Sequence, residues 1–336
     1  MPGLDVFNSD AFSMQSLTGR VNRATYVPGQ IGRTGIFAED GVTTTIVSID
    51  ERNGHLALVE PTPRGGPGES TTFEDRRVIP IAVPHYQRDD MVSADEVQNV
   101  RAFGSESDLE VVQDRVDAKA AKHGRDLQVT LEHQRVGALK GIVVSKSGAV
   151  QVNLYTAFGI SAPAAISLEL DSDSTKVGSL VQSVKYAIED ALDSAYTGLR
   201  VFTGRDFHAA LWGHPAVRDT FLGTAEAKML RDGIPDVFQF GDVTWERYKT
   251  GGKATTDLGA AYIAATDAYV AVEGVPDLYL TRFAPADYIE TVNTKGLPLY
   301  VRPNVLPNGK GVSLEVQMNA ISLCTQPGAL RRLTLT

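Results

Sequence analysis

The histidines in the middle of the chain are the residues best suited to acid–base chemistry. His208 and His214 flank Trp212, with Asp206 and Asp219 close by in the sequence. A histidine oriented by a carboxylate is the general base of many hydrolases. The members of such a triad normally come from distant segments, so closeness in sequence is poor support for one. We therefore interpret both histidines as loop residues and predict no catalytic residue.

Two other patterns resemble binding loops without completing them. Glu169, Asp171 and Asp173 look like half of a calcium loop, but the glycine and the bidentate Glu that such a loop requires are missing. We interpret them as a polar lead-in to a helix, with Asp173 or Ser174 as its cap. The run RGGPG at 64–68 lacks the Gly-Lys-Ser/Thr ending of a phosphate loop. We predict neither a metal site nor a cofactor.

Two further residues with reactive side chains are interpreted as structural. His123 lies on the apolar stripe of a predicted helix, where no second His, Cys or acidic residue has metal-binding spacing. Cys324 is the single cysteine, so it cannot form an internal disulfide and cannot build a zinc site by itself. We predict a packed histidine and a small buried cysteine in a strand.

Composition narrows the class of protein. A chain of 336 residues with 43% hydrophobic content can bury a sizeable core in one large domain or two. Asp and Glu outnumber Lys and Arg by 41 to 32, giving a net charge of -9, which argues against a dedicated nucleic-acid binder but not against local contact. No run is long and apolar enough for a membrane span, and the start lacks signal-peptide features. We therefore expect the protein to be located in the cytoplasm of the cell that makes it.

Residues 42–89 predict a long exposed arm of two strands. The β-branched run 42–49 is followed by Asn53-Gly54, a strong hairpin signal, and then by HLALVEP. Prolines and glycines fill the tip beyond it, and the strand VIPIAV returns to Pro84. Connections between strands within a compact domain are normally much shorter than this arm, so we predict that the arm contacts a partner.

The longest helical pattern in the chain is predicted for residues 107–139. Its apolar residues recur at three- and four-residue steps, with charged residues on the other face. Gly124 and Gly137 are its weak points, and a bend is expected near Gly124. The stripe that should pack includes Leu109, Val112, Val116, Leu127 and Leu131.

The other segments are assigned more briefly. Residues 1–38 predict an extended arm, in which Arg20, Arg23 and Arg33 make the stretch 11–38 locally positive. Residues 85–107 are predicted to be a polar connection. The remaining predictions are a hairpin around Ser147-Gly148, a helix at 179–196, a strand at 199–204, two short helices broken at Gly213 and Pro215, a hairpin turning at Gly241-Asp242, and strands at 260–266, 268–274, 297–303 and 312–327 with a tip at 306–311.

The order of these parts resembles that of a known family. Four segments in particular are similar to lambda-type major capsid proteins of tailed bacteriophages, the major capsid protein E family: VPGQIGRTGIF, GVTTTIVSIDERNGHLALVEPTPRGGP, VPHYQRDDMVSADEVQNVRAFGS and TLEHQRVGALKG. The resemblance covers most of the chain and is strongest over residues 26–141. Its motifs are structural and not catalytic.

The resemblance implies an α+β fold of the tailed-phage capsid type. The expected parts are an N-terminal arm, an extended β-loop, a long spine helix, and peripheral and axial domains. On this chain they correspond to the arm at 1–41, the hairpin and extended loop at 42–89, the peripheral domain at 90–195 with spine helix 107–139, the axial domain at 196–271, and a β-rich return to the peripheral domain at 272–336.

The resemblance also implies a function without enzymatic activity. Subunits of the family form hexamers and pentamers that close an icosahedral shell around double-stranded DNA, and the shell expands on maturation. The expected partners are further copies of the chain, a decoration protein, a scaffolding protein and a portal, with DNA enclosed without sequence-specific binding. The protein would belong to the virion and assemble in the host cytoplasm. An encapsulin-like cellular shell, or an enzyme with an unrecognised site, stays an alternative.

Particular residues receive roles from the same resemblance. The tip of the extended loop would clamp a neighbouring subunit, and the arm arginines Arg20, Arg23 and Arg33 would make further contacts. The run 42–49 and the arm before it are the candidates for contact with a decoration protein through strand addition. The loop tip consists of Arg64, Gly65, Gly66, Pro67, Gly68 and Glu69.

Overall fold

The computed structural model describes residues 13–23, 29–52, 76–93, 96, 108–192, 194–222, 233–249 and 262–336, without the side chains of 50–52, 76 and 108–112. It mixes helices and strands, as the predicted α+β class requires. No helix in these ranges combines the length and apolar character needed to cross a membrane. In chain order the α-helices are α1 (Met14–Arg23), α2 (Asp108–Lys140), α3 (Leu154–Phe158), α4 (Val177–Glu189), α5 (Arg205–Gly213) and α6 (Pro215–Phe221).

The strands are numbered in the same way. They are β1 (Phe37–Gly41), β2 (Ile46–Arg52), β3 (Arg76–Ala82), β4 (His85–Ser93), β5 (Ile142–Val144), β6 (Val150–Asn153), β7 (Ile166–Ser167), β8 (Gly198–Thr203), β9 (Val237–Phe240), β10 (Val243–Arg247), β11 (Asp267–Glu273), β12 (Tyr279–Phe283), β13 (Tyr300–Val305), β14 (Gly311–Cys324) and β15 (Arg332–Thr334). Short 3-10 helices occur at Gly32–Thr34, Ile289–Thr291 and Pro327–Ala329.

The contacts divide the chain into two compact units. Unit 1 takes its described residues from Met1–Val47, Ala82–Val136 and Tyr279–Leu323, and unit 2 from Ser48–Ile81, Gly137–Leu278 and Cys324–Thr336. These bounds differ from the predicted segments 90–195 and 196–271, since β5, β6 and β7 fall in unit 2. The assignment of the names peripheral and axial to the predicted segments stays a prediction.

Unit 1 is built on a five-stranded sheet with β14 at its centre. The strand order is β1-β12-β14-β13, and β4 also pairs with β14. Both β4 and β13 run antiparallel to β14, whereas β1 runs parallel to β12. One face of β14 packs against α2, and its contribution to the buried cluster is Leu314, Val316, Met318 and Ala320.

Helix α2 provides the other side of this core. Residues Val116, Ala120, Leu127 and Leu131 follow the predicted stripe and are at most 5% exposed. Burial of side chains of this kind stabilises a fold by about 1.5–3 kcal/mol each. The helix predicted for 107–139 forms over Asp108–Lys140 and is continuous through Gly124, and the bend expected there stays a prediction.

The N-terminal segment differs from the predicted extended arm. Among its described residues, 14–23 form helix α1 and 37–41 form strand β1 within the sheet. Leu17 of α1 is fully buried in the unit 1 core, and Phe37 of β1 packs on Tyr279 with ring centroids 5.3 Å apart. The apolar residues Met14, Leu17 and Val21 have the three- and four-residue steps of a helix, a signal that the sequence analysis overlooked because the helix is only ten residues long.

Strands β2 and β3 pair as a two-stranded sheet at the base of the predicted extended loop. Residues 50–52, which were predicted to turn, belong to β2, and the strand begins at Ile46 instead of Val42. The predicted turn at Asn53-Gly54 and the strand after it lie outside the described residues. The side chains alternate, so Val47 and Ile79 are buried while Ile46 and Val78 are 49% exposed.

Unit 2 contains a six-stranded sheet in the order β7-β15-β11-β8-β10-β9. At its centre β8 runs parallel to β10 and antiparallel to β11. Arg200 of β8 bridges both neighbours, with ion pairs of 2.8 Å to Glu246 and 2.6 Å to Glu273. The predicted hairpin β9–β10 forms, and Gly241 and Asp242 at its turn both have positive φ, as such a turn requires.

Three helices of unit 2 follow the sequence with small shifts. Helix α4 buries Val177, Val181, Val184 and Ile188 at helical spacing. The predicted cap by Asp173 or Ser174 is wrong, because the residue before the helix is Lys176 and no side chain caps it. Helices α5 and α6 meet at His214, next to the predicted break at Gly213 and Pro215. The interpretation of His208 as a loop residue is wrong, because it is a buried residue of α5.

Two strand assignments also change. Residues 85–93, predicted as a polar connection, form β4 and pair with β14 over nine positions. Val92 is the one deeply buried residue of β4, so the strand depends on its backbone pairing and has no apolar alternation to reveal it. The strand predicted at 260–266 is absent from its described part, 262–266.

Candidate assembly surfaces

The residues that suggested acid–base chemistry have structural partners. The Nε2 atom of His208 donates to the carbonyl oxygen of Pro235 at 2.7 Å, and its Nδ1 atom lies 2.8 Å from Thr203 Oγ1. Burial lowers the pKa of His208. The backbone N–H of Ala216 donates to Nδ1 of His214, which makes His214 the cap of α6. With their ring nitrogens engaged in this way, neither histidine is placed to act as a general base.

The other reactive groups are occupied or buried as well. Burial raises the pKa of Cys324 to about 12, so its thiol is a poor nucleophile. Within the described ranges, no group of three or more His, Cys, Asp or Glu side chains could hold a metal ion. What the described structure does offer is a set of contacts that fasten segments onto helix α2.

The first of these contacts fixes the N-terminal segment. The carboxylate of Glu132 accepts hydrogen bonds from the backbone N–H groups of Ile31 at 2.7 Å and Gly32 at 3.1 Å. Gly29 passes so close that a Cβ atom there would lie 2.1 Å from Cδ of Glu132. A buried carboxylate is stable when backbone donors replace its water, so this arrangement holds the chain before β1 on the helix.

The second contact lies one turn further along the helix. Arg135 is 1% exposed and forms an ion pair with Glu39 of β1, while its guanidinium lies 5.8 Å from the centroid of the Phe37 ring. Sequence reasoning overlooked Glu132 and Arg135. The available signal was their position beside the apolar stripe of α2, because a charged residue on the buried side of a helix requires a partner.

The third contact fixes β4 near the start of the described helix. Asp90 lies 2.9 Å from Nε2 of His123 and 3.4 Å from Nζ of Lys119, which also pairs with Glu96 at 2.8 Å. Hydrogen bonding to His123 is the main reason that the pKa of Asp90 is lowered. His123 therefore packs on the stripe as predicted and also has a specific carboxylate partner.

Of the predicted clamp, the described residues include only the base of the extended loop, strands β2 and β3. The tip, 64–69, lies outside the described residues. In unit 2 the base is anchored by Arg77 of β3, which donates to the carbonyl oxygens of Phe158 at 3.2 Å and Ala157 at 3.4 Å. These carbonyls end helix α3, where a cation is favoured by the helix dipole.

The three arm arginines occupy different surroundings. Arg20 of α1 forms an ion pair with Asp117 of α2 at 3.3 Å, and burial raises the pKa of Asp117. Arg23 is exposed at the end of α1, and Arg33 is exposed in the short 3-10 helix. Their role in contacts between subunits stays a prediction.

The predicted packing residues of the spine helix divide in a similar way. Val116, Leu127 and Leu131 are buried in the unit 1 core. Leu109 and Val112 lie within α2, but their side chains fall outside the described part.

A groove of about 480 Å³ lies beside α1 in unit 1. We call it the α1 groove; one wall is α1 and the other is the segment 290–300. Ile289, just before this segment, is 88% exposed, and Val292 within it is 65% exposed.

Known proteins resemble the chain over almost its whole length. The model of the family described as phage major capsid protein E matches residues 13–335. A major capsid protein of Pseudomonas phage KPP10 is 26% identical, covering 94% of this chain and 95% of that protein. The major capsid protein of Salmonella phage Felix O1 is 23% identical, covering 95% of each. The capsid structure of cyanophage P-SCSP1u is similar in fold, with a TM-score of 0.54 at 8% identity over 92% of this chain and 89% of that chain.

Proposed function

The chain belongs to the phage major capsid protein E family, and from this premise we propose that it assembles as hexamers and pentamers into an icosahedral shell around double-stranded DNA. It is a structural shell protein and not an enzyme. The match over residues 13–335 carries the proposal, since it includes the long helix and the five- and six-stranded sheets.

The extended loop is proposed to supply the clamp between subunits. Its base is fixed in unit 2 by the paired strands β2 and β3 and by Arg77, while the alternation of the hairpin leaves Ile46 and Val78 exposed on one face. Because the base of the extended loop is fixed to its own subunit, a tip bound to a neighbouring subunit would hold the two subunits together. This arrangement supports a clamp, and the glycines of the tip would allow it to adjust when the shell expands on maturation.

Removal of the tip tests the clamp. We expect deletion of Pro63–Thr71 to leave a folded subunit with wild-type circular dichroism but to reduce the yield of closed shells at least about tenfold, because each subunit would lose its contact with a neighbour. Electron microscopy and sedimentation measure the shells. The control replaces the same residues by a Gly/Ser segment of equal length, which separates sequence from length. Normal shells from the deletion variant would show that the clamp is not needed.

Further partners are proposed with less direct support. A decoration protein would add to the run 42–49, in which residues 43–46 are exposed, and a scaffolding protein and a portal would complete the particle. Covalent cross-linking through a loop lysine is not proposed, because residues 61–75 contain no lysine. We propose that the subunits assemble in the host cytoplasm and that the assembled shell is the capsid of the virion.

The family also favours a phage shell over an encapsulin-like compartment. Both relatives cited above are phage major capsid proteins. The contents of purified particles separate the two functions: packaged DNA is expected, whereas an enclosed enzyme without DNA would favour the compartment.

A further inference from the structure

The α1 groove is a preformed site within unit 1, with hydrogen bonds between α1 and residues 299 and 301. Thr18 of α1 exchanges hydrogen bonds with the backbone of Val301, and Asn22 donates to the carbonyl oxygen of Leu299 at 2.9 Å. These bonds hold α1 against β13, so the two walls of the groove keep their spacing. Apolar atoms for a ligand come from Met14, which packs against Tyr300, and from Leu297, which is 43% exposed.

The rim of the groove carries positive charge. Arg23 and Lys295 line it together with Glu290. Glu290 is neutralised by Arg302 at 3.0 Å, and Lys295 is paired with Asp40 at 2.6 Å but stays 65% exposed. Arg23 is exposed and has no ion-pair partner among the described residues. A ligand with apolar side chains and carboxylates therefore fits the groove.

The segment directly before α1 has this composition. Residues 4–12, LDVFNSDAF, contain four large apolar side chains, two aspartates and no basic residue. The segment is joined through Ser13 to Met14, the first residue of α1 and part of the groove. Helix α1 is about 15 Å long, and nine extended residues span about 30 Å, so the segment can follow the groove from Met14 to Arg23.

We propose that residues 4–12 bind in the α1 groove of their own polypeptide, with apolar side chains on Met14, Leu297 and Tyr300 and carboxylates facing Arg23 and Lys295. The same polypeptide is favoured over a second copy because a tethered segment has an effective concentration on the order of millimolar. The site would cover apolar surface on a free subunit, and it does not depend on the proposed shell.

Disulfide trapping in the full chain tests the proposal. The pair Asn8→Cys and Gly19→Cys places one thiol in the segment and one in the groove, where a Cβ atom at Gly19 meets nothing within 4 Å. We expect an internal disulfide in dilute subunits, seen as a monomer-sized band of altered mobility and confirmed by peptide mapping. The control pair is Asn8→Cys with Gly178→Cys, an equally open position in unit 2, which should cross-link at background level.

Charge reversal provides an independent measurement. Changing Asp5 and Asp10 to Arg should slow disulfide formation about fivefold, as expected for the loss of two exposed ion pairs, and changing Arg23 and Lys295 to Glu in the same chain should restore it. Circular dichroism checks that each variant is folded. Cross-links between chains, a yield equal to that of the control pair, or no response to charge reversal would overturn the proposal.

Discussion

A single carboxylate decides how the N-terminal segment is held in unit 1. Glu132 is 5% exposed and accepts hydrogen bonds from two successive backbone N–H groups, those of Ile31 and Gly32. Both donors lie at the start of the short 3-10 helix Gly32–Thr34 ahead of β1, where the first N–H groups of a helix have no acceptor within it. Loss of the acceptor would leave buried donors unpaired, which costs more than the hydrogen bonds themselves contribute.

We predict that Glu132→Ala lowers the free energy of unfolding by about 2–4 kcal/mol, and Glu132→Gln by about half as much because an acceptor oxygen is retained. Urea denaturation of dissociated subunits gives both values. Limited proteolysis should show faster cleavage near residues 29–36 in the alanine variant. Lys122→Ala, an exposed change on the same helix, is the control and should shift stability by less than about 0.5 kcal/mol. Equal effects at positions 122 and 132 would contradict the role assigned to the carboxylate.

Among the structural elements, helix α2 contains two glycines, Gly124 and Gly137, whose surroundings differ. A Cβ atom at Gly124 would lie 3.4 Å from Leu299 Cδ1 and 3.7 Å from Val21 Cγ1, both at the ends of side chains that can adjust. At Gly137 it would lie 2.9 Å from the Cα atom of Val143, which is backbone. Gly137 therefore allows β5 to pack closely on the end of the helix, whereas Gly124 serves no comparable contact.

The two glycines give a matched pair of substitutions. Gly124→Ala should stabilise the subunit by up to about 1 kcal/mol, because alanine is the better helix former. Gly137→Ala should destabilise it by about 1–3 kcal/mol, because the strain against backbone exceeds the gain in propensity. Thermal and urea unfolding of both variants measure the difference. The same sign of change at both positions would show that close packing at Gly137 does not govern its stability.

The net charge of the whole molecule is the property that bears on its contact with DNA. The chain has a net charge of -9, and many of its basic side chains are already paired, among them Arg200, Arg247 and Lys119. A shell that must release its DNA benefits from weak contact with phosphates, since each phosphate neutralised adds to affinity.

We therefore predict weak and shallow binding of double-stranded DNA by purified subunits. Fluorescence anisotropy with a short duplex should give a change in affinity of less than about tenfold between 50 and 200 mM salt, because few phosphates are neutralised. A basic DNA-binding domain of similar size serves as the positive control. A loss of a thousandfold or more over this range would indicate a dedicated DNA-binding surface and contradict the prediction.

Features that depend on neighbouring residues along the chain could be predicted before the fold was known. Apolar residues at three- and four-residue steps indicated α2, and Gly241-Asp242 marked the β9–β10 turn, because helix periodicity and positive φ are local properties. The order of the parts and four segments of sequence resembled the phage major capsid protein E family, whose model matches residues 13–335.

The contacts between distant segments became visible only in the folded chain. The parallel pairing of β1 with β12 and the nine-residue pairing of β4 with β14 join residues more than 200 positions apart, so no local pattern encodes them. The partners of Glu132 and Asp90 were hidden for the same reason: a charged residue shows that a partner is needed but not where it lies. Helix α1 depends on tertiary contacts. The burial of Leu17 and the hydrogen bonds of Thr18 and Asn22 form only when the segment that contains Leu299 and Val301 is in place.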